Sequence, residues 1–123
     1  MFKFQTCNYA QLHFLNNYFD GVFTMETLVH AANHEKVLKE FHRVLKPGGK
    51  IALFEYSVAP RKMFTPQQRA IEDLIIKESA MHSLPYFIHD HFPKILASTG
   101  FKNIIAENIT PRILPMLRKL YFI

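Results

Sequence analysis

The sequence predicts an α/β fold on a parallel sheet, with elements in the order β-α-β-α-α-β-α. Three observations predict it. Tyr18–Met25 and Lys50–Tyr56 are short, nearly unbroken apolar runs, an amphipathic stretch lies between them, and Pro47–Gly48–Gly49 joins that stretch to the second run. Runs this apolar are typical of strands covered on both faces, as in parallel sheets. Strand, helix and strand in succession make a βαβ unit, whose crossover is right-handed in nearly all folds.

Tyr18–Met25 is bounded by Asn16–Asn17 and by Glu26–Thr27, which delimits the first strand. Val37, Leu38, Phe41, Val44 and Leu45 then recur at the spacing of one helical face, with Asn33 as N-cap. Pro47–Gly48–Gly49 is expected to end that helix, and Lys50–Tyr56 forms the second strand. Thr65–Pro66–Gln67–Gln68 holds a cap, a proline in the first turn and a capping-box glutamine. Ile71, Leu74, Ile75 and Met81 give the helix that follows an apolar stripe. Asp90 is expected to cap a further helix that tolerates Pro93 in its first turn and carries Phe92, Ile95, Leu96 and Thr99 along one side. Gly100 should end it in a Schellman motif, with Phe101 folding back onto Ile95 or Leu96. Phe101–Ile109 reads as a third strand. Thr110–Pro111 starts a last amphipathic helix with Ile113, Leu114, Leu117, Leu120 and Tyr121, interrupted early by Pro115.

Composition excludes several classes. A chain of 123 residues has room for one core. The single cysteine, Cys7, rules out an internal disulfide or a cysteine-built zinc site and fits a reducing, cytoplasmic or cytosol-facing compartment, membrane-associated positions included. No apolar run approaches the ~20 residues of a membrane span, and Met1–Cys7 has no signal-peptide pattern. The net charge of +5 is spread along the chain without interleaved aromatics, which reads as a solvated surface and not a nucleic-acid patch. His30 and His34 stand one helical turn apart, but the other ligands of a metal site cannot be named, so no metal is expected.

The stretch Asn17–Tyr56 resembles the fourth strand, fourth helix and fifth strand of class I S-adenosylmethionine-dependent methyltransferases. Phe19–Asp20–Gly21–Val22 opens the strand, His30–Ala31 follows it, and Arg43–Val44–Leu45–Lys46–Pro47–Gly48–Gly49 leads into the next. Within that family, Met25–Ala31 and Phe54–Glu55–Tyr56 are similar to the sterol C-methyltransferases, in which an acidic residue follows the fourth strand and an acidic–aromatic pair ends the fifth. Asn8–Phe14 is similar to the family's D-A-x-x-L-P-F segment beside the cofactor's adenine, with Asn8 for the aspartate and His13 for the proline.

The resemblance implies a Rossmann-like sheet and S-adenosylmethionine as cofactor. It also implies methyl transfer to a small-molecule or sterol/lipid acceptor. Asn8, Tyr9, Ala10, Thr24 and Met25 would contact the cofactor; Glu26, His30, Glu55 and Tyr56 would serve catalysis, with Glu26 facing a cationic intermediate. For Glu26 and Glu55 the alternative is that they cap strand ends or pair with lysines. None of Gly21, Gly48, Gly49 and Gly100 forms a G-x-G turn, so the glycine-loop half is absent and residues 1–123 read as a single partial domain, the C-terminal part only. Such a chain has open sheet edges. The alternative function is therefore a non-catalytic fragment docked on a protein partner that covers them.

Overall fold

The computed structural model describes residues 1–121; the side chain of Tyr121 and residues 122–123, where the last helix was expected to run out, lie outside the described part. Strands β1 (Phe19–Met25) and β2 (Leu45–Phe54) pair in parallel, connected through helix α1 (His34–Val44). The βαβ unit is therefore present. Its register sets Val22 against Ile51, Thr24 against Leu53 and Met25 against Phe54, so both carboxyl tips finish at the same end.

Asn33 caps α1, its side chain accepting the Lys36 N–H at 2.9 Å. Val37, Leu38, Phe41, Val44 and Leu45 are all buried. With Leu28, Val29, Ala31, Leu84 and Phe87, the first three of these form the core. The helix ends earlier than expected. Leu45 already has extended backbone and pairs with Phe19, so Pro47–Gly48–Gly49 lies inside a bulged β2 rather than terminating α1. Gly49 is needed there, because a Cβ would sit 2.9 Å from the Lys46 carbonyl oxygen and 3.1 Å from that of Asp20.

The sheet is covered on one face only, against the expectation of two. Val22, Thr24, Ile51 and Leu53 turn inward, whereas Phe23 (74% exposed), Met25 (63%) and Phe54 (50%) face outward. Among the described residues no further strand pairs with either β1 or β2. The third strand predicted over Phe101–Ile109 does not form. Asn103 takes a left-handed φ of 54°, which breaks the extended run, and an open cleft separates the segment from the edge of β2.

Helix α2 (Pro66–Glu78) begins with the full capping box: Thr65 Oγ1 accepts the Gln68 N–H, and Gln68 Oε1 accepts the Thr65 N–H. Its orientation corrects the predicted stripe. Ile71, Leu74 and Ile75 are exposed, while Glu72 and Ile76, one turn apart, face inward. Glu72 is buried because Arg61 holds it, together with Asp73. Helix α3 (Phe92–Ser98) starts after His91, not Asp90, since the Ile88 carbonyl accepts the N–H groups of both His91 and Phe92 and turns the chain there. Its end is the expected Schellman motif: Phe101 N–H reaches Leu96 O at 3.2 Å, Gly100 N–H reaches Ala97 O at 3.1 Å, and Gly100 has φ 106°. The exposed His42 packs edge-on against Phe101.

Helix α4 (Thr110–Tyr121) runs through Pro115 without the early break expected. Asn108 closes a turn just ahead of the helix, its Oδ1 accepting the Thr110 N–H at 3.0 Å. No helix among the described residues is long and apolar enough to cross a membrane.

Candidate functional site

The carboxyl tips of β1 and β2 gather most of the residues singled out from the sequence. Glu55 is half-buried on the inward face, in line with Ile51 and Leu53. A carboxylate there needs donors. Its Oε1 accepts the Leu28 N–H at 2.9 Å, the Thr27 N–H at 3.1 Å and the Thr24 hydroxyl at 3.2 Å, and its Oε2 accepts the Val29 N–H at 3.3 Å. Glu55 thus caps the short 3-10 turn Leu28–His30 and fixes it to both strand ends.

Glu26 follows β1 with a left-handed φ of 50°, a conformation that costs a non-glycine residue about 1 kcal/mol, and donates its N–H to Phe54 O at 2.6 Å. Its carboxylate meets the Tyr56 hydroxyl. That hydrogen bond first, then burial, then the charges of Glu26 and Glu55, push the Tyr56 pKa above its usual value, so the phenol stays a protonated donor. His30 is engaged elsewhere, its Nδ1 3.3 Å from the Ala80 carbonyl oxygen.

Beside β1 a groove of about 480 Å³ is lined by Tyr9, Thr24, Met25 and Thr27 among others. Thr24 points to the inner side and Met25 to the open side. The segment bearing Asn8, Tyr9 and Ala10 is held by a clamp from α1: Arg43 donates to the Leu12 and Phe14 carbonyls, and Glu40 accepts the Leu12 N–H at 2.8 Å. Arg43 in turn lowers the Glu40 pKa, chiefly through their hydrogen bond. Asn8 closes a turn on itself, its Oδ1 accepting the Ala10 N–H at 2.9 Å. Burial, and then the Glu55 charge, raise the Tyr9 pKa.

Beside β2 a cleft of about 1330 Å³ runs between that strand and residues 103–108, and Glu55, Tyr56, Ser57 and His89 line it. Tyr9, Thr24 and Met25 thus line the groove by β1 and Glu55 and Tyr56 the cleft by β2, joined by the Thr24–Glu55 hydrogen bond, whereas Asn8, Ala10, Glu26 and His30 line neither. Ser57 and His89 were missed by sequence reasoning. Their side chains meet at 2.6 Å because Val58 and Ile88 form a backbone bridge, a pairing that nothing local announces.

His34 is not a partner for His30. It is buried, its Nδ1 3.1 Å from Ser83 Oγ. Ser83 Oγ gives its own proton to Ala31 O, so Nδ1 of His34 carries a hydrogen and donates. Burial lowers the His34 pKa against the opposing charge of Glu35. Between that lowered value and the ordinary 6.5, the unfolded chain binds more protons than the folded one. Stability is therefore expected to fall as pH drops below about 6.5. Melting curves between neutral and mildly acidic pH will test this, and His34→Gln should flatten that part of the profile. Among the described residues no cluster of His, Cys, Asp or Glu could hold a metal ion.

A parallel βαβ unit with ligand-sized hollows at its carboxyl end defines a Rossmann-like α/β protein. Comparison with known proteins narrows the class. A family profile described as a methyltransferase domain matches residues 1–53. The chain is 36% identical over 107 residues to the S-adenosyl-L-methionine-dependent Diels-Alderase iccD of Talaromyces variabilis, covering 85% of this chain and 37% of that protein. It is 27% identical over 119 residues to phosphoethanolamine N-methyltransferase 1 of Arabidopsis thaliana, covering 95% and 22%. The fold matches the crystal structure of a possible histamine N-methyltransferase from Thermotoga maritima with a TM-score of 0.57 at 21% identity, covering 79% and 44%. These matches support a class I S-adenosylmethionine-dependent methyltransferase, of which this chain represents a part, with S-adenosylmethionine as the cofactor. It spans well under half the length of the relatives it matches.

Proposed function

We propose that residues 1–123 form one partial domain that takes part in methyl transfer to a small-molecule or sterol/lipid acceptor, on the cytoplasmic side of the cell and next to a membrane where the acceptor is a lipid. The observation that carries this reading is the parallel pairing of β1 and β2, which brings Thr24, Glu26, Glu55 and Tyr56 to one end of the sheet. The chain's donor set fits one wall of a cofactor site. Asn8 keeps an amide N–H₂ and one oxygen lone pair for an adenine edge, and Tyr9, Ala10, Thr24 and Met25 border the groove or its approach. S-adenosylmethionine, when bound, supplies an electrophilic methyl group on a sulfonium.

The remaining work falls to side chains. Tyr56 spends its one proton on Glu26 and so orients it, and Glu26 offers its remaining carboxylate lone pairs to positive charge growing on an alkene or amine acceptor. Glu55 and His30 act by position, holding the turn that shapes the pocket rim. The narrower, sterol-like acceptor rests on the Met25–Ala31 and Phe54–Tyr56 motifs.

A second reading is a non-catalytic form that docks on a protein partner. Two features favour it: the outward Phe23, Met25 and Phe54, and the lone pair of strands with both outer edges open among the described residues. Calorimetric titration of the purified chain with S-adenosylmethionine separates the two. Saturable heat supports the first; no heat at millimolar ligand sinks it and leaves the docked form.

A further inference from the structure

We propose that α4 docks the chain onto an anionic phospholipid surface, its apolar side seated at the headgroup boundary and its cationic side against lipid phosphates. The proposal deepens the membrane-proximal part of the reading above and rests on it only for its use, since the helix argues for it on separate grounds. At 3.6 residues per turn, Ile113, Leu114, Met116, Leu117 and Leu120 share one side of α4, and Arg112, Arg118 and Lys119 share the other. Met116 is 57% and Leu120 60% exposed, and no α4 residue joins the described core. A helix this short, with a proline inside it, is marginal in water when nothing packs on it.

Charge selects the surface. The helix contains no acidic residue, and the chain as a whole carries +5. Arg112 pairs with Glu107, whereas Arg118 and Lys119 have no acidic partner among the described residues. An apolar arc bordered by cations is the pattern of helices that lie in the interface of anionic bilayers, where long basic side chains reach the phosphates while their stems stay in apolar surroundings. An apolar protein groove would satisfy one side of α4 and leave the other unmatched.

Co-sedimentation of the full chain with phosphatidylcholine vesicles, with and without phosphatidylserine, tests the proposal. The chain is expected on the phosphatidylserine vesicles, less so as salt is raised. Leu117→Glu should weaken partitioning roughly tenfold. Reversing both free cations, Arg118→Glu with Lys119→Glu, should weaken it roughly thirtyfold. Because α4 adds nothing to the described core, both variants should melt like the parent chain, which shows that lost binding is not lost folding. Equal partitioning onto phosphatidylcholine alone, no binding at low salt, or full binding by both variants would overturn the proposal. Cofactor heat read on the same samples is independent: heat without vesicle binding removes the lipid dock and keeps the methyltransferase reading, and the converse result does the opposite.

Discussion

Glu55→Ala is expected to destabilise the chain by about 3 kcal/mol, seen as a melting temperature lower by roughly 10 °C. The substitution strands the N–H groups of Thr27, Leu28 and Val29 beside the core, together with the Thr24 hydroxyl. Leu28 and Val29 are themselves completely buried, so the turn that carries them cannot swing out to water without opening the core. Glu55→Gln keeps one acceptor oxygen and should lose only about 1 kcal/mol, because that oxygen can take the place where three donors converge and leave the N–H₂ against the Val29 N–H alone. Denaturant or thermal unfolding of the two variants measures the pair. A Glu55→Ala loss of less than about 0.5 kcal/mol, the usual cost at an ordinary surface site, would show that the carboxylate does not hold this turn.

Gly100→Ala is expected to cost about 2 to 3 kcal/mol. Two terms add. The φ of 106° lies in a region side chains rarely enter, and a Cβ would come within 2.9 Å of His42 Nε2. The ring cannot simply rotate away without giving up its edge contact with Phe101. Truncating the ring separates the terms: His42→Ala/Gly100→Ala should be less destabilised than the sum of the two single variants, by the steric share alone. Strict additivity would assign the whole effect to backbone conformation.

The contrast between what the sequence showed and what it hid follows the range of the interactions. The Asn33 cap, the Thr65–Gln68 box and the Gly100–Phe101 ending each close within a few residues, so their chemistry is written in a short window. The two strands were legible as apolar runs, although the outward half of each run, at Phe23, Met25 and Phe54, is exposed. The orientation of α2 was not. Its apolar Ile71, Leu74 and Ile75 outweigh Glu72 in any local pattern, yet an arginine 11 residues away reverses the choice of face. The third predicted strand failed for a similar reason: Phe101–Ile109 has strand-like residues but no neighbour to complete its hydrogen bonds, and propensity without pairing does not make a strand.

At the candidate site, position was more legible than purpose. Resemblance marked Glu26, Glu55 and Tyr56 as a group, and the structure sets them at adjoining strand tips. The donors that Glu55 serves are 26 to 31 residues away, beyond any local pattern. One signal was available: Glu55 falls two positions after Leu53 and four after Ile51, and in a strand that spacing sends it to the same covered side.

The half-covered sheet has a consequence for the chain's fate in a cell. Aromatic and thioether groups held open to water, at Phe23, Met25 and Phe54, are what chaperones and quality-control proteases bind, and anything that occludes them in the native state shifts the folding balance by mass action. Steady-state abundance should therefore track the supply of whatever occludes that surface more closely than the rate of synthesis.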